Sequence, residues 1–241
     1  MQRFAQISDP HLSSLEGVLA RDLMSKRALG YLSWRLRRRF EHRTEVLAAL
    51  KRDLQQFALD QLLVTGDLTH LGLPREFRQA QAWLRQLGEP QEVAVIPGNH
   101  DASVATPWQD TFALWRDYMA SDTPTALPDS LSSLYPSLRS RGDIAFIGLS
   151  TACPKPPFMA TGTAGAAQLA RLPALLDEHT DDVLLGARID NHEVPFGAGV
   201  HQRRAGIGIG LERVALLHEL NGHHGAQAAH VADLLVLRLH L

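Results

Sequence analysis

Residues 61–67 read Gln61-Leu62-Leu63-Val64-Thr65-Gly66-Asp67, a short apolar run that stops at a glycine and a carboxylate. A run of this kind, bounded by a turn signal, predicts a buried strand. The design recurs on either side. Arg3 to Ser8 (RFAQIS) ends at Asp9, and Glu92 to Pro97 (EVAVIP) ends at Gly98-Asn99-His100-Asp101. In open α/β sheets, sites form beyond the carboxyl ends of the strands. Three polar clusters at three strand ends are therefore expected to meet in space.

Helical patterns separate these strands. Between Arg43 and Ala58, the residues Val46, Leu47, Leu50, Leu54 and Phe57 fall along one stripe. Between Glu76 and Leu87, Phe77, Ala80, Trp83, Leu84 and Leu87 do the same, and Gly88 is placed to stop the helix. Thr106-Pro107-Trp108-Gln109 carries the signs of a capped helix start, with Phe112, Trp115 and Met119 sharing a face. Residues 121–140 are rich in Ser, Pro, Thr and Asp and read as a loop. Asp143 to Leu149 predicts a further strand, and Ala166 to His179 a helix that Pro173 is expected to interrupt, at a cost of about 3 kcal/mol. Val183-Leu184-Leu185 fits a fifth strand, and the run from Val231 to Leu241 an edge strand. Strand alternating with helix at this spacing argues for an α/β fold.

Bulk properties exclude several classes. The chain has 241 residues, 45% of them hydrophobic and 21% charged, so it can bury a core and is not disordered throughout. A formal net charge of -2 gives no reason to expect nucleic acid as an obligate partner. The single cysteine, Cys153, cannot form an internal disulfide. Neither a signal peptide nor an apolar span is legible, so a cytoplasmic protein is expected. Residues 1–241 are expected to form one domain. Residues 13–58 would be a helical insertion and residues 186–241 an atypical C-terminal segment.

The chemistry resides in the three strand ends. Asp9 and His11 stand two apart, and in an extended segment such residues point to the same side. Asp67 has two carboxylate oxygens, enough to bridge two cations about 3.5–4 Å apart. Asn99 offers a neutral oxygen, and His100 and Asp101 follow at once. Each pair alone could be an ordinary turn. The three together, in order, at three strand ends, point to a metal centre.

Asp9-x-His11, Gly66-Asp67 and Gly98-Asn99-His100-Asp101 together resemble the calcineurin-like metallophosphoesterase superfamily. The order and context are most similar to the bacterial branch that includes class III cyclic-nucleotide phosphodiesterases. The resemblance runs from Met1 to about Asp182. It implies a four-layer α/β/β/α sandwich, with the second sheet open to being incomplete at the C-terminus. It also implies a phosphomono- or phosphodiesterase with two divalent metal ions (Mn, Fe or Zn) that lower the pKa of an attacking water. By the same resemblance Asp9 and His11 hold the first metal, Asp67 bridges, and Asn99 holds the second. His100 acts on the phosphate, and Asp101 orients its imidazole.

The family pattern adds a histidine after the next strand, often in His-His-Pro-Pro, and then Gly-His-x-His. Here Asp190-Asn191-His192-Glu193-Val194-Pro195 and Asn221-Gly222-His223-His224-Gly225 stand instead. His192 and His223 are the candidate metal ligands, and His224 and His230 weaker ones. The departure after Gly186 admits divergence, truncation or a reading-frame change. It leaves open a second reading, a catalytically impaired member that works by binding. Gly206-Ile207-Gly208-Ile209-Gly210 has the wrong spacing for a dinucleotide loop, and His218 and His223 stand five apart, not the four of a zinc-protease helix.

The run Trp34-Arg35-Leu36-Arg37-Arg38-Arg39 is either a solvated helix face or a contact for an anionic substrate or membrane surface. The expected partner is a small phosphate ester, with a weak membrane-surface contact through Arg35 to Arg39. Cyclic nucleotides, nucleotide-lipids and phosphomonoesters all stay open as substrates, and the oligomeric state is not legible.

Overall fold

The computed structural model describes residues 3–12, 14–36, 44–123, 128–142, 144–156 and 162–178, together with the backbone of 183–187, 209–211 and 235–239. The strands are β1 (Phe4–Ser8), β2 (Gln61–Thr65), β3 (Val93–Ile96), β4 (Ser137–Arg141), β5 (Ile144–Gly148), β6 (Val183–Ala187), β7 (Ile209–Leu211) and β8 (Leu235–Leu239). The helices are α1 (Arg27–Leu36), α2 (Thr44–Leu54), α3 (Pro74–Leu87), α4 (Arg116–Met119), α5 (Leu131–Leu134) and α6 (Ala166–Glu178).

Two sheets form. The first is parallel, in the order β1-β2-β3, with Ser8 opposite Thr65 and Thr65 opposite Ile96. That register brings the three strand ends level, which is what lets the polar clusters meet. The second sheet is mixed, in the order β4-β5-β6-β8-β7. The C-terminal segment thus contributes strands to it, and β8 lies inside the sheet between β6 and β7. This corrects the edge-strand expectation for residues 231–241: the edge is β7, a short Gly-interrupted strand that carries no periodicity to find.

The layers follow from side-chain alternation. Along β2, Leu62 and Val64 join Phe77, Ala80 and Leu84 of α3 in the main core, while Leu63 faces the other way. Leu63 meets Phe146, with Phe4, Ala94 and Ile144 around them. Phe4 and Phe146 touch edge to face, with centroids 5.8 Å apart. Along β5, Ala145 and Ile147 face Leu172 of α6. The order is therefore helix, sheet, sheet, helix, the expected α/β/β/α arrangement. Each fully buried Leu or Phe contributes about 1.5–3 kcal/mol to holding these layers. Among the described residues no helix is long and apolar enough to cross a membrane.

Four expectations need correction. Residues 121–140 are not all loop, because α5 and β4 lie there. β4 escapes an apolar scan since its inward residues are Ser137 and Arg139. The helix expected from Thr106 is two 3-10 turns, Trp108–Asp110 and Phe112–Trp115, before the short α4. Thr106 Oγ1 lies 3.4 Å from Thr111 Oγ1 rather than capping. α6 runs through Pro173 without breaking. The carbonyl that a proline leaves without a donor lies four residues earlier. Here that residue is Leu169, at an exposed position where water can take over. In the 43–58 stripe, Leu50 and Leu54 pack on the core, but the helix stops at Leu54, and Val46 and Phe57 are exposed.

Candidate metal centre

The loop after β1 continues the strand pairing beyond the sheet. Asp9 N–H donates to Thr65 O, His11 N–H to Asp67 O and Leu12 N–H to Leu68 O, each at 3.0 Å. These bonds force unusual backbone. Asp9 has φ 49° and His11 φ 42°, a left-handed region that non-glycine residues seldom enter. The two side chains therefore converge through a strained turn, not through the extended segment the sequence suggested.

Two glycines clear the space for the carboxylates. A Cβ on Gly66, whose φ is +91°, would lie 2.9 Å from Asp9 Oδ1. A Cβ on Gly98 would overlap Asp67 Oδ1 and approach Asp67 N to 2.8 Å. Each strand-end glycine thus makes room for the carboxylate of another strand end.

Asp9, His11 and Asp67 come together with one ligand atom each, all within 4.8 Å of one another. Ligands around one transition-metal ion, at about 2.0–2.2 Å, stand up to roughly 4.4 Å apart, so small side-chain adjustments close the set. His11 is already in the right tautomer. Its Nδ1 lies 3.1 Å from Thr69 O, and a carbonyl can only accept, so Nδ1 carries the proton. Nε2 then presents its lone pair toward Asp67, whose Oδ2 lies 3.9 Å away. A carboxylate, imidazole, carboxylate set suits a divalent transition metal.

His100 approaches from the third strand end. Its backbone N–H donates to Asp67 Oδ1 at 2.8 Å, and its Nε2 lies 3.9 Å from Asp67 Oδ2. Its Nδ1 lies 2.7 Å from His70 O. The orienting role expected of Asp101 therefore belongs to the His70 carbonyl. The Asp101 carboxylate, 1% exposed, instead accepts from Gly98 N–H, Leu68 N–H, Thr69 N–H and Thr69 Oγ1. It ties the second and third strand-end loops together. Burial, and then the charge of Asp67, pushes its pKa well up, against the pull of those hydrogen bonds. Asn99 is half-buried, between Gly98 and His100, whose N–H groups bond Asp101 and Asp67. His192 and His223 lie outside the described residues.

Three residues escaped the sequence reading. The His70 ring stacks on His11, with centroids 4.8 Å apart and planes 9° from parallel. Thr69 supplies a carbonyl to His11 and a hydroxyl to Asp101. Glu76, fully buried, accepts from the N–H groups of His70, Leu71 and Leu73 at 2.8, 3.1 and 2.9 Å. The signal was the polar run Asp67-Leu68-Thr69-His70 continuing past the strand end.

The calcineurin-like phosphoesterase family model matches residues 2–154, a stretch that holds all three strand ends and the cluster around Asp67. The chain belongs to the calcineurin-like phosphoesterase family. No curated protein matches it. Within this phosphoesterase domain the ligand cluster gives the chain the makings of a metal-dependent hydrolase of phosphate esters. The matched stretch ends before α6 and the C-terminal strands.

Proposed function

We propose that the chain hydrolyses phosphomono- or phosphodiesters at a two-metal centre. Asp9 and His11 would hold one ion, Asp67 would serve both, and Asn99 would help to hold the other. The observation that carries this reading is the convergence of Asp9, His11 and Asp67 with His11 Nε2 turned inward. Bound cations would neutralise the anionic ester and activate a water. His192 and His223 would complete the set from the C-terminal segment. Mn, Fe and Zn all suit this donor set.

The chain's own residues supply the remainder. His100 Nδ1–H is fixed on His70 O, so Nε2 is the atom that would exchange a proton with the substrate. Protonated there, it would hold a phosphoryl oxygen or hand a proton to the leaving oxygen. Its side chain is 21% exposed against 9% for His11, which suits a group that meets substrate rather than one that only holds an ion. Asp101 and Glu76 keep the loops at a fixed separation. A cyclic nucleotide, a nucleotide-lipid or a small monoester would each present the phosphate that this centre needs.

The test is metal content by elemental analysis, with Mn-stimulated hydrolysis of bis(p-nitrophenyl) phosphate and Asp67→Ala as control. Close to two ions per chain, with activity lost in the variant, is the expected result. Absence of both metal and activity after Mn addition would overturn the reading in favour of a family member that works by binding.

A further inference from the structure

Three imidazoles meet at the centre: His11, His100 and His70. The His70 ring lies flat against the His11 ring, with centroids 4.8 Å apart and planes 9° from parallel. The His100 ring meets His11 edge to face, with centroids 5.2 Å apart. His70 is buried, 3% exposed. Among the described residues the ligand group comprises Asp9, His11 and Asp67, without His70.

The backbone that carries the His70 ring is clamped from several sides. Its N–H donates to Glu76 Oε1 of α3 at 2.8 Å, and its carbonyl accepts from His100 Nδ1 at 2.7 Å. The next two carbonyls are held as well. Leu71 O accepts from Arg27 Nε of α1 at 2.9 Å and from Ser103 Oγ at 3.1 Å, and Gly72 O accepts from Arg27 Nη2 at 2.8 Å. The ring therefore projects from a fixed point.

His11 needs a fixed partner of this kind. The bond between its Nδ1 and Thr69 O, 3.1 Å long, holds the ring at one atom. The torsion about Cβ–Cγ of a histidine is broad, so one such contact leaves the plane free to tilt and Nε2 free to swing. A parallel ring packed on the face opposes that rotation, because any turn tips one edge of His11 into the His70 face. Metal-ligating histidines depend on neighbours that fix their orientation in this way.

We propose that His70 is a positioning residue for the metal centre, its ring holding the plane of His11 so that Nε2 meets the ion. A flat face is what the site requires at position 70, and the ring nitrogens are not. This role rests on the reading that Asp9, His11 and Asp67 hold metal.

The Mn affinity of the full chain tests this without reference to catalysis. Titration is followed by the electron paramagnetic resonance signal of free Mn(II), and the visible absorption of Co(II) reports the ligand geometry. His70→Phe keeps a flat ring, His70→Leu fills the space without one, and His70→Ala empties it. Circular dichroism and urea midpoints check that each variant is folded. The expected result is wild-type Mn affinity and Co(II) bands in His70→Phe. His70→Leu and His70→Ala should bind Mn roughly 10- to 100-fold more weakly, with altered Co(II) bands, under conditions well below unfolding. A lowered urea midpoint in His70→Leu with wild-type Mn affinity would overturn the proposal and leave His70 a packing residue. Weak Mn binding by a folded His70→Phe would also overturn it, since the ring nitrogens would then be what the site uses. A wild-type chain that binds no Mn would overturn the metal reading itself, and this role with it.

Discussion

The ring nitrogen Nδ1 of His100 stands 2.7 Å from the carbonyl oxygen of His70. One hydrogen bond thus sets the tautomer of His100, and its acceptor is backbone, which cannot change charge. The imidazole is expected to act through Nε2. His100→Asn should lower the turnover of a generic phosphodiester by about 10²–10⁴-fold while metal content stays near the wild-type value. Parallel turnover and elemental measurements check this, and loss of the metal along with the activity would recast His100 as a ligand.

This relationship also marks the limit of what the sequence made legible. The three strand ends were readable because each apolar run stops at residues that an apolar core rejects. The parallel register then had to bring them together. The pairing of His100 with His70 was not readable, because a backbone acceptor leaves no residue-type signature. The family resemblance instead gave the orienting role to the adjacent carboxylate of Asp101, whose oxygens prove to be engaged by Leu68, Thr69 and Gly98. β4 was hidden for a related reason. Its inward positions carry Ser137 and Arg139, and polar inward positions erase the alternation that identifies a strand.

Gly98 and Asp67 compete for one volume. Gly98→Ala would push a methyl group into the Asp67 carboxylate and against its backbone nitrogen. The expected outcome is loss of metal binding with secondary structure retained. Gly165→Ala is the control, since a Cβ there meets nothing within 4 Å. Thermal melts with and without Mn read the result, because an ion that binds only the folded state raises the melting temperature. The control should keep the Mn-induced rise and Gly98→Ala should lose it. A full rise in Gly98→Ala would mean that Asp67 can yield without cost.

Glu76 fixes the loop from His70 to Leu73 by accepting three backbone N–H groups. Glu76→Gln replaces one acceptor oxygen with a donor and leaves at least one buried N–H facing another. The expected loss is about 1–3 kcal/mol of stability, read from urea midpoints. Burial raises the pKa of Glu76 above its ordinary 4.5, against the pull of the Leu73, His70 and Leu71 N–H groups and Arg75. The folded chain therefore holds that proton more tightly than the unfolded chain does. The resulting stabilisation is fully present below 4.5 and declines as pH rises through the folded value. The stability gap between wild type and Glu76→Gln should accordingly narrow from acetate to neutral buffer. A gap that widens would show the N–H groups outweighing burial.

Arg139 is the one guanidinium of β4 that lies in the interior, 4% exposed, and every N–H it owns has a carbonyl to bond. Nε donates to Ala120 O, Nη1 to Pro90 O and Val93 O, and Nη2 to Asp117 O and Tyr118 O. Burial lowers its pKa to about 10, still well above neutrality, so the cation persists in the folded protein. The guanidinium thereby joins β4 to β3, to α4 and to the turn before β3. Lysine has three donors on a single atom and cannot span these acceptors. Arg139→Lys should leave at least two buried carbonyls unpaired, at about 1–3 kcal/mol each. The site residues touch none of these groups, so the variant should unfold at markedly lower urea while its metal content, measured well below the transition, stays that of the wild type. Wild-type stability in Arg139→Lys would mean that water reaches these carbonyls and that the five bonds do not hold the sheets together.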